Sequence, residues 1–185
     1  MLCRFRSTFV DQTCTVGRQQ VSAAIEDEKQ RYEVVLYAEL TNEFRPFMQE
    51  DRASYVASLP KRDEAFREVL LNEYDYACAI CGMKFVVDDL HEAQAAHIVP
   101  KKRNGTDDPR NGLTLCRAHH WAFDTGLFAL APDYTVVLSP LVQRAEIRKF
   151  EMQALAGQPL RRPQREAMVP HRTALAWHLQ NVYQG

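Results

Sequence analysis

Four residues stand in two pairs with the same spacing: Cys78 with Cys81, and Cys116 with His119. Three thiolates and one imidazole at these steps suit a single tetrahedral Zn²⁺. Four protein ligands leave no open coordination position, so such an ion holds the fold together and does no chemistry. A redox CxxC is the other use of this spacing, but it needs a strand-helix-strand setting that the sequence lacks. A second set lies between and just beyond these ligands: His97, Asn111, His120 and Asp124. A neutral imidazole can take a proton from water, and a carboxamide can hold that imidazole in place. His120 and Asp124, four residues apart, share one face of a helix and can hold one divalent cation between them. Neighbouring residues on a helix point about 100° apart, so one residue does not serve both sites. CxxH spacing gives His119 to zinc and leaves His120 for the second ion.

These residues sit in a longer pattern. Ala95-Ala96-His97-Ile98-Val99-Pro100 is followed by Asp107-Asp108-Pro109-Arg110-Asn111-Gly112-Leu113-Thr114-Leu115-Cys116, and then by His119-His120-Trp121-Ala122-Phe123-Asp124-Thr125-Gly126-Leu127-Phe128. With these motifs the chain resembles the HNH endonuclease family, in a subgroup whose members are commonly described as restriction endonucleases. The resemblance covers roughly residues 61–140, and the tail around Ala176-Trp177-His178 is similar to the segment that succeeds that domain in such proteins. It implies an α+β fold: a ββα-metal nuclease core with a zinc knuckle, an N-terminal helical extension and C-terminal helices. It implies His97 as general base on a water that attacks phosphorus. It implies Asn111 as the residue that bonds the backbone near His97. It implies Mg²⁺ or another divalent ion held by His120 and Asp124. Many family members carry Asp or His just before the base as a further metal ligand. Here that position is Ala96, which cannot ligate. Gln94 and Glu92 rank low as further groups near the ion.

The elements that must position these groups are readable in outline. Val21, Ile25, Tyr32, Val35, Leu36, Leu40 and Phe44 recur at three- and four-residue steps, which predicts a helix from Gln19 to about Met48. Its apolar stripe fits packing on the nuclease domain or on a second copy, as a homodimer. A shorter helical piece is expected over 51–58, before Pro60. Asp63 is a candidate N-cap for a helix through Tyr74 with Phe66, Val69 and Leu70 inward. Gln94–Ile98 and Leu113–Cys116 read as strands joined by a polar loop, with a helix from His119 to Asp124 after them. Leu127–Leu130 and Tyr134–Leu138 suggest a hairpin about Pro132-Asp133. Helices are expected near Val142–Ala156 and Thr173–Tyr183. This divides the chain into a helical N-terminal extension (1–60), a nuclease domain with its knuckle (61–140), and a basic C-terminal extension (141–185).

Net charge is −1, which alone speaks against a nucleic-acid partner, but its distribution is uneven. Residues 141–185 hold seven basic and three acidic side chains, net +4, and Lys101-Lys102-Arg103 directly follows the candidate base. Such clusters can meet phosphates. DNA is therefore the expected partner. No apolar run reaches about 18 residues, so a membrane is not expected. The start shows no apolar signal segment, which points to the cytoplasm and reduced thiols. The competing reading is a non-catalytic zinc module that binds nucleic acid or a protein. It shares the four zinc residues but does not require His97, Asn111, His120 and Asp124. A toxin-like nuclease is a third reading, for which no delivery segment is evident. His91, His171 and His178 have no matching partners and read as surface or packing residues. Trp121 and Phe123 read as core, and Arg110 and Arg117 as phosphate contacts or surface charges.

Overall fold

The structure, a computed structural model, describes Phe44, Phe47 and residues 64–144 and 152–185. Helix α1 (64–73) carries Phe66, Val69 and Leu70, all buried, at three- and four-residue steps. Asp75 and Tyr76 then take positive φ (52° and 55°), and the chain turns into the zinc-type knuckle. Asp63, the expected cap, lies outside the described residues.

The centre of the molecule is an antiparallel hairpin of β3 (Gln94–His97) and β4 (Gly112–Leu115), which follow the small hairpin β1 (Val86–Val87) and β2 (Leu90–His91). The β3–β4 register pairs Gln94 with Leu115, Ala96 with Leu113 and His97 with Gly112. All four residues of β4 are buried, with Phe66 and Leu70 of α1 against Gly112 and Thr114 and the next helix packed on the strand. This explains why Gly-Leu-Thr-Leu does not alternate apolar with polar. Its polar member is satisfied: the Thr114 hydroxyl donates to the Leu70 carbonyl at 2.8 Å. Burying Leu113 and Leu115 contributes about 1.5–3 kcal/mol each.

Helix α2 (Arg117–Asp124) packs across the hairpin. It starts two residues before the expected His119. Cys116 offers no side-chain cap, and the Glu92 carboxylate accepts from the Arg117 N–H at 2.8 Å instead. That bond satisfies an orphan donor and puts negative charge at the positive end of the helix. A third hairpin follows, β5 (Phe128–Leu130) with β6 (Val136–Leu138). Of the helix expected near Val142–Ala156, the described parts are α3 (Leu141–Arg144) and a 3₁₀ turn at Met152–Leu155.

Residues 152–185 are bound tightly to the rest. The Arg161 N–H donates to the Ala79 carbonyl at 2.9 Å, and Arg165 pairs with the buried Glu73 carboxylate of α1. Helix α4 (Arg172–Asn181) buries Ala174, Leu175 and His178 against β5. Phe44 stacks on His171 with ring centroids 4.3 Å apart, and Phe47 bridges Gly105. The rest of the expected N-terminal helix, and with it the dimer surface read on it, lies outside the described residues. Among the described residues no helix is long and apolar enough to cross a membrane.

Candidate active site and metal centre

The knuckle brings Cys78, Cys81, Cys116 and His119 together, with their ligand atoms all within 4.8 Å of one another. The turn after Cys78 closes through Gly82, whose N–H donates to the Cys78 carbonyl at 2.8 Å and whose φ is +72°. A side chain there would be strained, and its Cβ would stand 2.8 Å from Arg161 Nη1. Cys116 and His119 come from the start of α2, so the cluster joins the turn after α1 to the helix behind the hairpin. His119 Nδ1 lies 3.0 Å from Cys116 Sγ and 3.6 Å from Cys78 Sγ. Hydrogen bonds from Cys116 and Cys81 hold the Cys78 thiol well below its usual range, against the opposing effect of burial. Burial disfavours the His119 cation, yet the sulfurs of Cys78 and Cys81 outweigh it and push its pKa up to about 9. Three soft sulfur donors, plus one imidazole, fit a tetrahedral cation such as Zn²⁺.

At the far end of β3, His97 is held on three sides. Its ring lies flat on Phe66 of α1, with centroids 4.0 Å apart and planes 14° from parallel. Its Nε2 is 3.0 Å from Oδ1 of Asp107, whose Oδ2 is 2.5 Å from Lys101 Nζ. Burial works against the Asp107 carboxylate, but the bonds from His97 and Lys101 more than offset it and lower its pKa. The strand end itself is fixed by Asn111, which is 0% exposed. Asn111 Oδ1 accepts from the Val99 N–H at 2.9 Å, and Nδ2 donates to the carbonyls of Val99 (3.1 Å) and Thr106 (2.8 Å). One carboxamide thus ties both ends of the 99–106 segment.

His120 and Asp124 share the other face of the hairpin. Their nearest atoms, Nε2 and Oδ2, are 3.5 Å apart. His120 Nδ1 donates to Gln94 Oε1 at 2.9 Å, which leaves Nε2 as the acceptor nitrogen beside the carboxylate. The pair offers one imidazole nitrogen and one carboxylate oxygen, which suits a divalent ion that keeps water and phosphate as its other ligands. Alternation along β3 sends Gln94 toward α2, while His97 stacks on α1. Ala96 is completely buried and gives the ion nothing.

Four participants were not assigned these tasks from sequence. Asp107 stood in the quoted motif without a role. Phe66 was only one of three apolar helix positions. Gln94 orients His120, and Glu92 caps α2. Two readings need correction. Trp121 is 61% exposed, not core, because inward packing of His119, Ala122 and Phe123 turns it outward. Arg110 is buried in an ion pair with Asp108 at 2.6 Å and lies over the Phe44 ring, so it is not turned to solvent or phosphate. His91 bonds Arg67 and the Ala93 carbonyl, His171 stacks on Phe44, and His178 stacks on Phe123 at 3.7 Å. All three are engaged in packing.

Residues 78–131 match the model of a family described as HNH endonuclease. No curated protein matches the chain. Among solved structures the chain is similar to a protein titled "Modification dependent TagI restriction endonuclease", with 22% identity and a TM-score of 0.48. The match covers 72% of this chain and 44% of that one, so the chain spans less than half that protein's length.

Proposed function

We propose that this chain, whose residues 78–131 are an HNH endonuclease domain, hydrolyses DNA phosphodiester bonds with His97 as general base. The observation that carries the reading is the Asn111 clamp. Its carboxamide occupies both backbone groups of Val99 and so fixes the strand end from which the imidazole projects. In that role His97 takes a proton from water as the water oxygen bonds to phosphorus and the bond to the leaving oxygen breaks. His120 and Asp124 would hold a divalent ion, and Gln94 fixes the tautomer of the His120 imidazole. When bound, that ion supplies positive charge to the phosphoryl oxygens and the leaving group. Cys78, Cys81, Cys116 and His119 would hold a structural Zn²⁺, joining the start of α2 to the knuckle.

The proposed setting is restriction or phage defence in a reducing cytoplasm, which keeps the thiolate ligands available. Contacts near the scissile phosphate carry little sequence information. Specificity therefore falls to residues 1–60 and the basic tail. The test is cleavage of supercoiled plasmid in Mg²⁺, Mn²⁺ or Ni²⁺ by the parental chain and by His97→Ala. The parental chain is expected to nick or linearise the plasmid, and His97→Ala to lose about 10²–10⁴-fold in rate. A folded, zinc-loaded His97→Ala protein that cuts at the parental rate overturns the assignment.

A further inference from the structure

We infer that Asp107 is a positioning residue for His97: its carboxylate fixes the imidazole as the Nε2–H tautomer and makes Nδ1 the proton acceptor. The inference rests on the reading of His97 as the base and adds which nitrogen acts and what selects it.

An ionised carboxylate can only accept hydrogen bonds. His97 and Lys101 favour the ionised form of Asp107 although it is 7% exposed. The nitrogen 3.0 Å from its Oδ1 must therefore carry the proton, and that nitrogen is Nε2. In a neutral imidazole the other nitrogen then holds the lone pair. Turning the ring over would put Cε1 in place of Nε2 and lose the bond to Asp107, and Phe66 lies flat against one face of the ring, 4.0 Å between centroids. Nor can the carboxylate drift. Its second oxygen is on Lys101 Nζ at 2.5 Å, and Asp108, next in the chain, caps the 3₁₀ turn Pro109–Asn111 through the Arg110 N–H. On the other side, the Thr106 carbonyl is held by Asn111 Nδ2, the same amide that fixes the strand end after His97. Base and carboxylate are thus referred to one buried side chain. When Nδ1 takes a proton from water, the imidazolium that forms sits beside a negative charge, which favours that charge state.

The test uses the full zinc-loaded chain. Two-bond ¹⁵N–¹H correlation spectra of the parental protein should show His97 as the Nε2–H tautomer. In Asp107→Asn, whose amide can donate as well as accept, that population should fall. The variant's kcat on plasmid should drop about 10–100-fold with KM within about twofold, as expected when an imidazole's partner is lost. In a His97→Ala background the same substitution should cost nothing more, because its effect passes through the imidazole. Asp107→Asn also removes the ion pair that Lys101 makes with Asp107. If that alone unfolds the protein, Asp107→Asn/Lys101→Met carries the same measurements. Parental kcat in a folded Asp107→Asn variant, an Nδ1–H tautomer in the parental protein, or an undiminished loss in the His97→Ala background overturns the inference. If His97→Ala is inactive while Asp107→Asn is parental, only this inference falls. If His97→Ala cuts normally, the base assignment falls and takes this inference with it.

Discussion

Phe66 and His97 lie face to face, 4.0 Å between centroids and 14° from parallel, although 31 positions separate them in the chain. The helix that packs on the hairpin therefore also sets the plane of the candidate base. Phe66→Leu keeps an apolar side chain in the core but removes the flat wall. It should cost about 1–2 kcal/mol of stability, near the centre of single-substitution effects. It should also lower kcat on plasmid at unchanged zinc content, because the imidazole gains freedom to tilt. Urea unfolding with steady-state cleavage checks this, and an unchanged kcat in a folded variant removes Phe66 from the positioning of His97.

Gly112 faces His97 across the register and lets α1 come that close. A Cβ at position 112 would lie 2.3 Å from Leu70 Cδ1 and 2.7 Å from Phe66 Cζ. Both neighbours are buried, so neither has room to yield. Gly112→Ala should destabilise by about 1–3 kcal/mol, the usual range for an overpacked core. It should also reduce cleavage, because the side chain it displaces is the wall behind His97. Thermal unfolding and plasmid cleavage measured on one preparation test this. A variant that matches the parent in both shows that α1 shifts without consequence.

The two adjacent histidines should separate cleanly. His119 is buried among the sulfurs, whereas His120 is partly exposed and turned to Gln94 and Asp124. His119→Ala should lower zinc content and stability together, since metal binding and folding are coupled in such clusters. His120→Ala should keep one zinc per chain and a normal circular dichroism spectrum while losing cleavage. Elemental analysis of both proteins decides the matter, and zinc loss in His120→Ala with retention in His119→Ala reverses the assignment.

What the sequence made legible was local. Ligand spacings at Cys78/Cys81, Cys116/His119 and His120/Asp124 span at most four residues, and turn and helix geometry converts each directly into a shared direction. The strand ends near His97 and Leu113 were legible to within a residue because loop-forming residues bracket them. The relationships that need the loop's path were not. His97 meets Asp107 only because residues 99–106 fold back under the Asn111 clamp. Gln94 meets His120 only once α2 crosses the hairpin. The hairpin of Val86–Val87 with Leu90–His91 escaped notice because its strands are two residues long and Asp88-Asp89 replaces the glycine-containing turn that marks most tight hairpins. Trp121 was misplaced because the inward-facing His119, Ala122 and Phe123 set the phase of a helix of only eight residues.

His178 supplies a pH-dependent contribution to stability. It is 2% exposed, its ring stacks on Phe123 at 3.7 Å, and Nε2–H donates to the Phe123 carbonyl at 3.1 Å. Its buried Nδ1 has no hydrogen-bond partner, so a second ring proton would be stranded there. Burial accordingly pulls its pKa down to about 4, only partly opposed by the bond to Phe123. The folded pKa lies below the unfolded value of about 6.5, so between these pH values the unfolded chain binds more protons. The neutral ring's contribution is therefore fully present above pH about 6.5 and is lost as pH falls toward about 4, with no further loss from this group below that. The shift corresponds to about 3 kcal/mol. His178→Gln keeps an amide donor for the Phe123 carbonyl but does not titrate. Urea unfolding between pH 7.5 and 4.5 should show the parental protein losing stability more steeply than the variant. Acid effects on the zinc ligands and carboxylates are common to both chains and drop out of the comparison. Parallel curves would mean that His178 is protonated as readily in the folded protein as in the unfolded one.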